Sequence, residues 1–199
     1  MRQMLQNIII EGLDRLGKST LIEGIQERLG FFTVVHYSKP KTLSHYVNQV
    51  GVSAAKQAYQ RESFEQMFKL LSGEARLILD RAHLGEAVYA KRYRGYDGDY
   101  VFDLEGVKQL TALNNTLLVL LVNDDKELEH KLVDDGDSFD WSKREEEQRD
   151  FCAAWTRSRF ANKLRIGVGS KGKFVDKTWI IDSVVNAYLD PARHFNSNA

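Results

Sequence analysis

The chain has 199 residues, of which 43% are hydrophobic and 28% charged, and its 28 Lys+Arg are balanced by 28 Asp+Glu. That length suits one domain, spanning 1–199, with a real core and leaves no comfortable room for two. The balanced charge argues against general attraction to nucleic acid or membrane. No apolar run approaches the ~20 residues of a membrane span, and the single Cys152 excludes an intramolecular disulfide. The N-terminus runs directly into an apolar stretch, so no signal peptide and a reducing, cytoplasmic setting are expected.

The first predicted strand, Ile8 to Ile10, enters Gly12-Leu13-Asp14-Arg15-Leu16-Gly17-Lys18-Ser19-Thr20, which fits the phosphate-loop pattern GxxxxGK[ST]. Gly12 and Gly17 permit turns that aim successive N–H groups into one concavity. Lys18 then reaches the β- and γ-phosphates of a bound nucleotide, and the Ser19 hydroxyl ligates Mg²⁺. A helix with the apolar stripe Leu21, Ile22, Ile25 and Leu29 follows, ended by Gly30, and its positive N-terminus strengthens the anion site.

Thr33 to His36 reads as a second strand, and the i, i+3, i+4, i+7 spacing of Phe64, Met67, Phe68 and Leu71 as a helix. The third strand, Leu77 to Asp80, delivers Asp80 and Arg81 to its carboxyl end, where ligands bind in an open parallel sheet. There Asp80 is placed to organise Mg²⁺ or accept a proton, and Arg81 to clamp a second phosphate. The plain alternative is a surface Asp–Arg pair capping a loop.

Lys91-Arg92-Tyr93-Arg94-Gly95-Tyr96 interleaves cations with aromatics, a pattern that suits single-stranded nucleic acid or a loop closing over a mononucleotide. A fourth strand, Leu117 to Val122, is followed by Asn123-Asp124-Asp125-Lys126, which has the residue types of the guanine-reading NKxD motif in the wrong order. Residues 124 to 150 carry twelve acids against five bases, so a lid built from them does not neutralise a nucleotide by bulk charge. Its Asp cluster does not meet the EF-hand spacing. Cys152 in Phe151-Cys152-Ala153-Ala154-Trp155 reads as a packed small hydrophobe. Leu164 to Val168 is a fifth strand; Ile180, Val184 and Tyr188 mark a last helix; residues 193 to 199 are expected to fray. Strands alternating with helices, with only Pro40 and Pro191 and no linker, give one doubly wound parallel domain.

Glu11-Gly12-Leu13-Asp14-Arg15-Leu16-Gly17-Lys18-Ser19-Thr20 resembles the EGxDRxGKST loop of eukaryotic-type thymidylate kinases. Asp80-Arg81 resembles that family's DR motif, with Tyr89 at the family's spacing beyond it, and the HLGExVY wording is similar to divergent bacteriophage members. The resemblance implies a P-loop NTPase of the nucleoside monophosphate kinase-like type. Its fold would be a three-layer α/β/α sandwich with a parallel sheet of about five strands, its phosphate loop at 12–19 and a small lid at about 131–149. It also implies ATP and Mg²⁺ as cofactors, a deoxynucleoside monophosphate, foremost dTMP, as acceptor, and a homodimer.

By the same resemblance, Lys18 and Ser19 serve ATP and Mg²⁺, Asp14 binds the sugar 3′-hydroxyl of the acceptor, and Arg15 stabilises the transferring phosphoryl group. Arg81 holds the acceptor phosphate, Asp80 assists near the metal, and Tyr89 lies against the deoxyribose. Lys39 is the candidate for a further phosphate-holding base after the second strand, against an ordinary solvated lysine. Phe64 or Phe68 is the candidate base platform, against the core role that helical spacing also suggests. Lys131, Lys143, Arg144 and Arg149 are lid candidates, against a solvated acidic face.

Two other readings stay open: a kinase acting on a modified base in DNA or on a deoxynucleoside, and a non-enzymatic nucleotide-binding regulator. A deoxynucleoside kinase typically has Glu where Asp80 stands, and a regulator has no need of Arg15, Arg81 and Tyr89 as a set.

Overall fold

The structure, a computed structural model, describes residues 4–37, 51–134, 136 and 140–195. In chain order come β1 (Asn7–Glu11), α1 (Lys18–Leu29), β2 (Thr33–His36), α2 (Val52–Leu71), β3 (Leu77–Asp80) and α3 (Leu84–Tyr89). A π-helical turn, Ala90–Arg94, leads to α4 (Tyr100–Leu104), α5 (Leu110–Asn115), β4 (Thr116–Val122) and α6 (Lys126–Glu129). Then follow α7 (Arg144–Arg157), β5 (Asn162–Gly167), β6 (Gly169–Ser170), β7 (Lys173–Phe174), α8 (Lys177–Leu189) and α9 (Pro191–Phe195).

Five strands form one parallel sheet, as the sequence predicts, and their order is β2-β3-β1-β4-β5. The central strands are apolar runs because both of their faces are covered: Ile8, Ile9 and Ile10, with Leu117 to Leu120, are wholly buried. Edge strand β2 keeps Thr33, Val34 and His36 exposed. From β1 the chain crosses to β2 on one side, and from β3 it crosses to β4 on the other. The switch point therefore lies between the carboxyl ends of β1 and β3, where a crevice opens. Both informative motifs emerge there.

Helices α1 and α8 pack together across Gly24, where a Cβ would run into the Ile181 side chain. In α2, Phe64, Met67, Phe68 and Leu71 are buried as their spacing predicts, and in α8 so are Ile180, Val184 and Tyr188. Cys152 is free and partly buried against the core. A small antiparallel hairpin of β6 and β7, which the sequence reading does not contain, follows β5. Among the described residues no helix is long and apolar enough to cross a membrane.

Candidate active site

Three isoleucines bury β1, and the acid that follows them is buried as well: Glu11 is 1% exposed. One of its carboxylate oxygens accepts from the backbone N–H groups of Ala82 and Leu84, each at 3.0 Å. The end of β1 is thus tied to the segment that carries Arg81. Arg81 N–H also donates to the Ile10 carbonyl at 3.0 Å. Burial pushes the Glu11 carboxyl above its usual range, opposed by His83 and by the two amides.

Beyond Glu11 the loop turns through Gly12 at φ 133°, where a Cβ would sit 2.5 Å from the Leu121 carbonyl oxygen. It passes Arg15 at φ 66° and Gly17 at φ 84°, both left-handed. Helix α1 begins at Lys18 with no side chain capping it, so its first N–H groups are left for an anion. Lys18, 7% exposed, folds back to donate to the carbonyls of Leu13 at 2.6 Å and Gly12 at 3.1 Å. Burial, then the Arg81 charge, pushes its ammonium down to about 8.

Asp14 stands between two cations: its carboxylate pairs with Arg81 and lies 3.6 Å from Lys18. Arg81 is itself left-handed at φ 64°, a conformation uncommon outside glycine that collects at functional sites. Asp80 is the register partner of His36, whose Nδ1 lies 3.0 Å from one Asp80 oxygen. The other Asp80 oxygen is buried with no hydrogen-bond partner among the described residues.

A cavity of about 600 Å³ gathers these groups. Asp14 to Thr20, His36, Asp80 and Arg81 line one part; Leu132, Phe174, Val175, Ile180 and Ile181 supply an apolar wall. That wall, built partly on the β6–β7 hairpin, escapes sequence reading because Phe174 and Val175 show no periodicity. Ser19 and Asp80 offer hard oxygen donors to the one cavity, a set that fits Mg²⁺, which takes one or two protein oxygens beside phosphate oxygens and water. Among the described residues, no three His, Cys, Asp or Glu side chains gather as a metal cluster of their own.

Tyr89 does not line the cavity: it is buried, its ring 5.6 Å from that of Phe151 and 6.1 Å from that of Tyr93. Burial raises its hydroxyl pKa, and the Glu147 and Asp14 charges add to the shift, which places Asp14 in its electrostatic surroundings. Phe64 and Phe68 correct an expectation. At 1% and 0% exposure they are core, with Phe64 against Tyr37 and His83, and Phe68 against His83 and Phe160. A wholly buried ring has no face to offer a base. Lys39 lies outside the described residues.

The lid candidates do not line the cavity. Lys131 donates to Glu127 at 2.9 Å and to the Gly172 carbonyl at 3.0 Å, and Lys143 pairs with Glu146 at 3.3 Å. Arg144 and Arg149 line a second cavity of about 210 Å³, with Leu13, Asn123 and Glu129. The interleaved stretch after Tyr89 is also occupied internally. Arg92 pairs with Glu146 and Asp150, the Tyr93 hydroxyl donates to Glu147, and Arg94 and Tyr96 meet the buried Glu86. With these groups turned to carboxylates of the chain itself, little of the stretch is left to face a nucleic acid.

No protein-family model and no curated protein matches the chain. Solved structures do match in shape. The YorR protein of Bacillus subtilis, in complex with phosphorylated GDP, superposes with a TM-score of 0.62 at 18% identity, covering 94% of this chain and 97% of its own. The thymidylate kinase of Ehrlichia chaffeensis gives 0.56 at 18% identity, covering 92% and 97%. The deoxyadenosine kinase of M. mycoides with bound dATP gives 0.54 at 15% identity, covering 90% and 97%. The fold is that of the P-loop nucleotide kinases. The five-stranded parallel sheet flanked by helices is therefore that of a nucleoside monophosphate kinase-like fold.

Proposed function

We propose that the chain transfers the γ-phosphoryl group of Mg·ATP to a deoxynucleoside monophosphate, foremost dTMP. The observation that carries this reading is the pairing of Asp14 with Arg81 inside the cavity that also holds Lys18 and Ser19. A phosphate loop alone serves many reactions; an arginine from a second strand end, set against the loop's own acid, adds a place for a second anionic substrate. Lys18 and the α1 N-terminus hold the donor phosphates, and Ser19 and Asp80 hold Mg²⁺, which neutralises charge between donor and acceptor. Arg81 holds the acceptor phosphate, Asp14 the sugar hydroxyl, and Arg15 the transferring group. Tyr89 shapes the deoxyribose side. The transfer needs no nucleophilic side chain, since positioning and charge neutralisation supply the catalysis. A homodimer is proposed with it, testable by light scattering.

A second reading rests on the His36–Asp80 contact and on the deoxyadenosine kinase among the similar folds. A hydroxyl acceptor needs a base, and a carboxylate held by a histidine at the cavity is one. One experiment separates them: ATP is incubated with each deoxynucleoside monophosphate, with deoxynucleosides and with DNA, and the products are resolved. Formation of dTDP supports the first reading. Monophosphate formed from a deoxynucleoside replaces it with the second, and phosphorylated DNA alone removes both.

A further inference from the structure

Arg144 is the first residue of α7, 4% exposed, and more than a hundred residues along the chain from the loop it touches. Its Nε donates to Glu129 at 2.6 Å and its Nη1 to the backbone carbonyl of Asp14 at 3.0 Å, while the guanidinium lies 4.2 Å over the Trp141 ring. Glu129 is held in turn by Asn123, at 2.8 Å, just after β4. The guanidinium is therefore fixed from three directions, by Glu129 of α6, by the Trp141 ring and by the Asp14 carbonyl of the phosphate loop. It lines the second cavity, behind Leu13, whereas Arg15 lines the first.

The carbonyl that Arg144 grips belongs to the peptide joining Asp14 to Arg15, and Arg15 is the loop's non-glycine residue in the left-handed region. An L-residue pays sterically for that conformation, so it persists where the surroundings hold it. A charge-assisted bond to the preceding carbonyl is such a hold. We infer that Arg144 is a positioning residue: it locks the Asp14–Arg15 peptide from behind the loop, and so aims the Arg15 side chain into the nucleotide cavity. Its role in transfer is exercised through Arg15, without contact to phosphate. The inference rests on the proposed role of Arg15 at the transferring phosphoryl group.

A double-mutant cycle tests it, with single-turnover transfer from ATP to dTMP as readout and melting temperature as a check on folding. R15A is expected to slow transfer about a thousandfold, the scale of a lost arginine at a transferring phosphoryl group. R144A should cost about tenfold to a hundredfold, as for a misplaced group, with KM for ATP changed less than threefold. R144K, which keeps the charge but reaches fewer partners, should fall between. The deciding value is the double variant, which should match R15A within twofold, because Arg144 has nothing left to aim. A further tenfold loss in R144A/R15A means direct contact with substrate and overturns the inference alone. R15A at the wild-type rate overturns the inference together with the role proposed for Arg15. If R144A does not fold, R144K and R144K/R15A decide by the same comparison.

Discussion

Asp14 and Arg81, 67 residues apart, meet as an ion pair across the crevice between β1 and β3. The pair joins the two segments that the sequence marks as chemical, and it leaves Arg81 a third exposed toward the cavity. An acceptor phosphate at Arg81 would compete for the guanidinium with Asp14, which is then released to the sugar. R81A is expected to raise KM for dTMP about a hundredfold while changing ATP affinity little, because Lys18 and the α1 N-terminus remain. Steady-state kinetics with each substrate varied in turn measure this. Equal damage to both substrates would assign Arg81 to the loop's architecture.

Lys18 predicts a proton linkage. Buried and beside Arg81, the ammonium is held down to about 8, and phosphates bound against it restore the charged form. The sign follows. Below pH 8 Lys18 is protonated with or without nucleotide, and affinity does not depend on this group. Above pH 8 the free protein has lost the proton and must regain it to bind, so ATP affinity falls by up to tenfold per pH unit. Calorimetry at pH 9 in buffers of different ionisation enthalpy should show uptake of close to one proton per site. No uptake would mean either that the free Lys18 ammonium is not held down or that it does not meet the phosphates.

The central strands and the loop are legible in sequence because burial on both faces writes a continuous apolar run and because Gly12, at φ 133° and against the Leu121 carbonyl, leaves no room for a Cβ. Asp80 and Arg81 are legible as strand-end charges. Phe64 and Phe68 are not, since helical spacing is the same whether a ring faces a core or a ligand. His36, and the loop contact of Arg144, which the sequence offers only as a lid candidate, are hidden for another reason: their meaning lies in contacts with Asp80 and Asp14, far away in sequence. Glu11 did carry a signal, an acid closing an otherwise buried strand.

Glu11 itself gives a stability prediction. Its oxygen satisfies two backbone amides that nothing else reaches in the described contacts. E11A leaves both amides unpaired and is expected to cost about 2–4 kcal/mol. E11Q keeps a carbonyl acceptor and relieves a buried charge, so its cost should stay below about 1.5 kcal/mol. Urea denaturation of both variants checks the order, and a larger loss in E11Q would contradict it.

His83 and Glu105, both wholly buried, are 2.6 Å apart, and Glu105 also accepts from the Ser158 hydroxyl at 2.7 Å and the Arg159 amide at 2.5 Å. Burial alone would raise the carboxyl pKa, but His83 and these donors outweigh it and hold Glu105 below the ordinary carboxylate range. A depressed carboxylate contributes stability that is fully present above its unfolded pKa of about 4.5 and is lost as pH falls through the folded value. E105Q turns an NH₂ group toward donors that the carboxylate accepts from, and it weakens the hydrogen bonds that remain, so it should cost about 1–3 kcal/mol at pH 7. Because the variant no longer titrates there, its stability should decline less steeply below pH 4.5 than that of the parent. Denaturant titrations at pH 7, 5 and 4 give both quantities, and parallel pH curves for parent and variant would show that Glu105 is not the group that titrates.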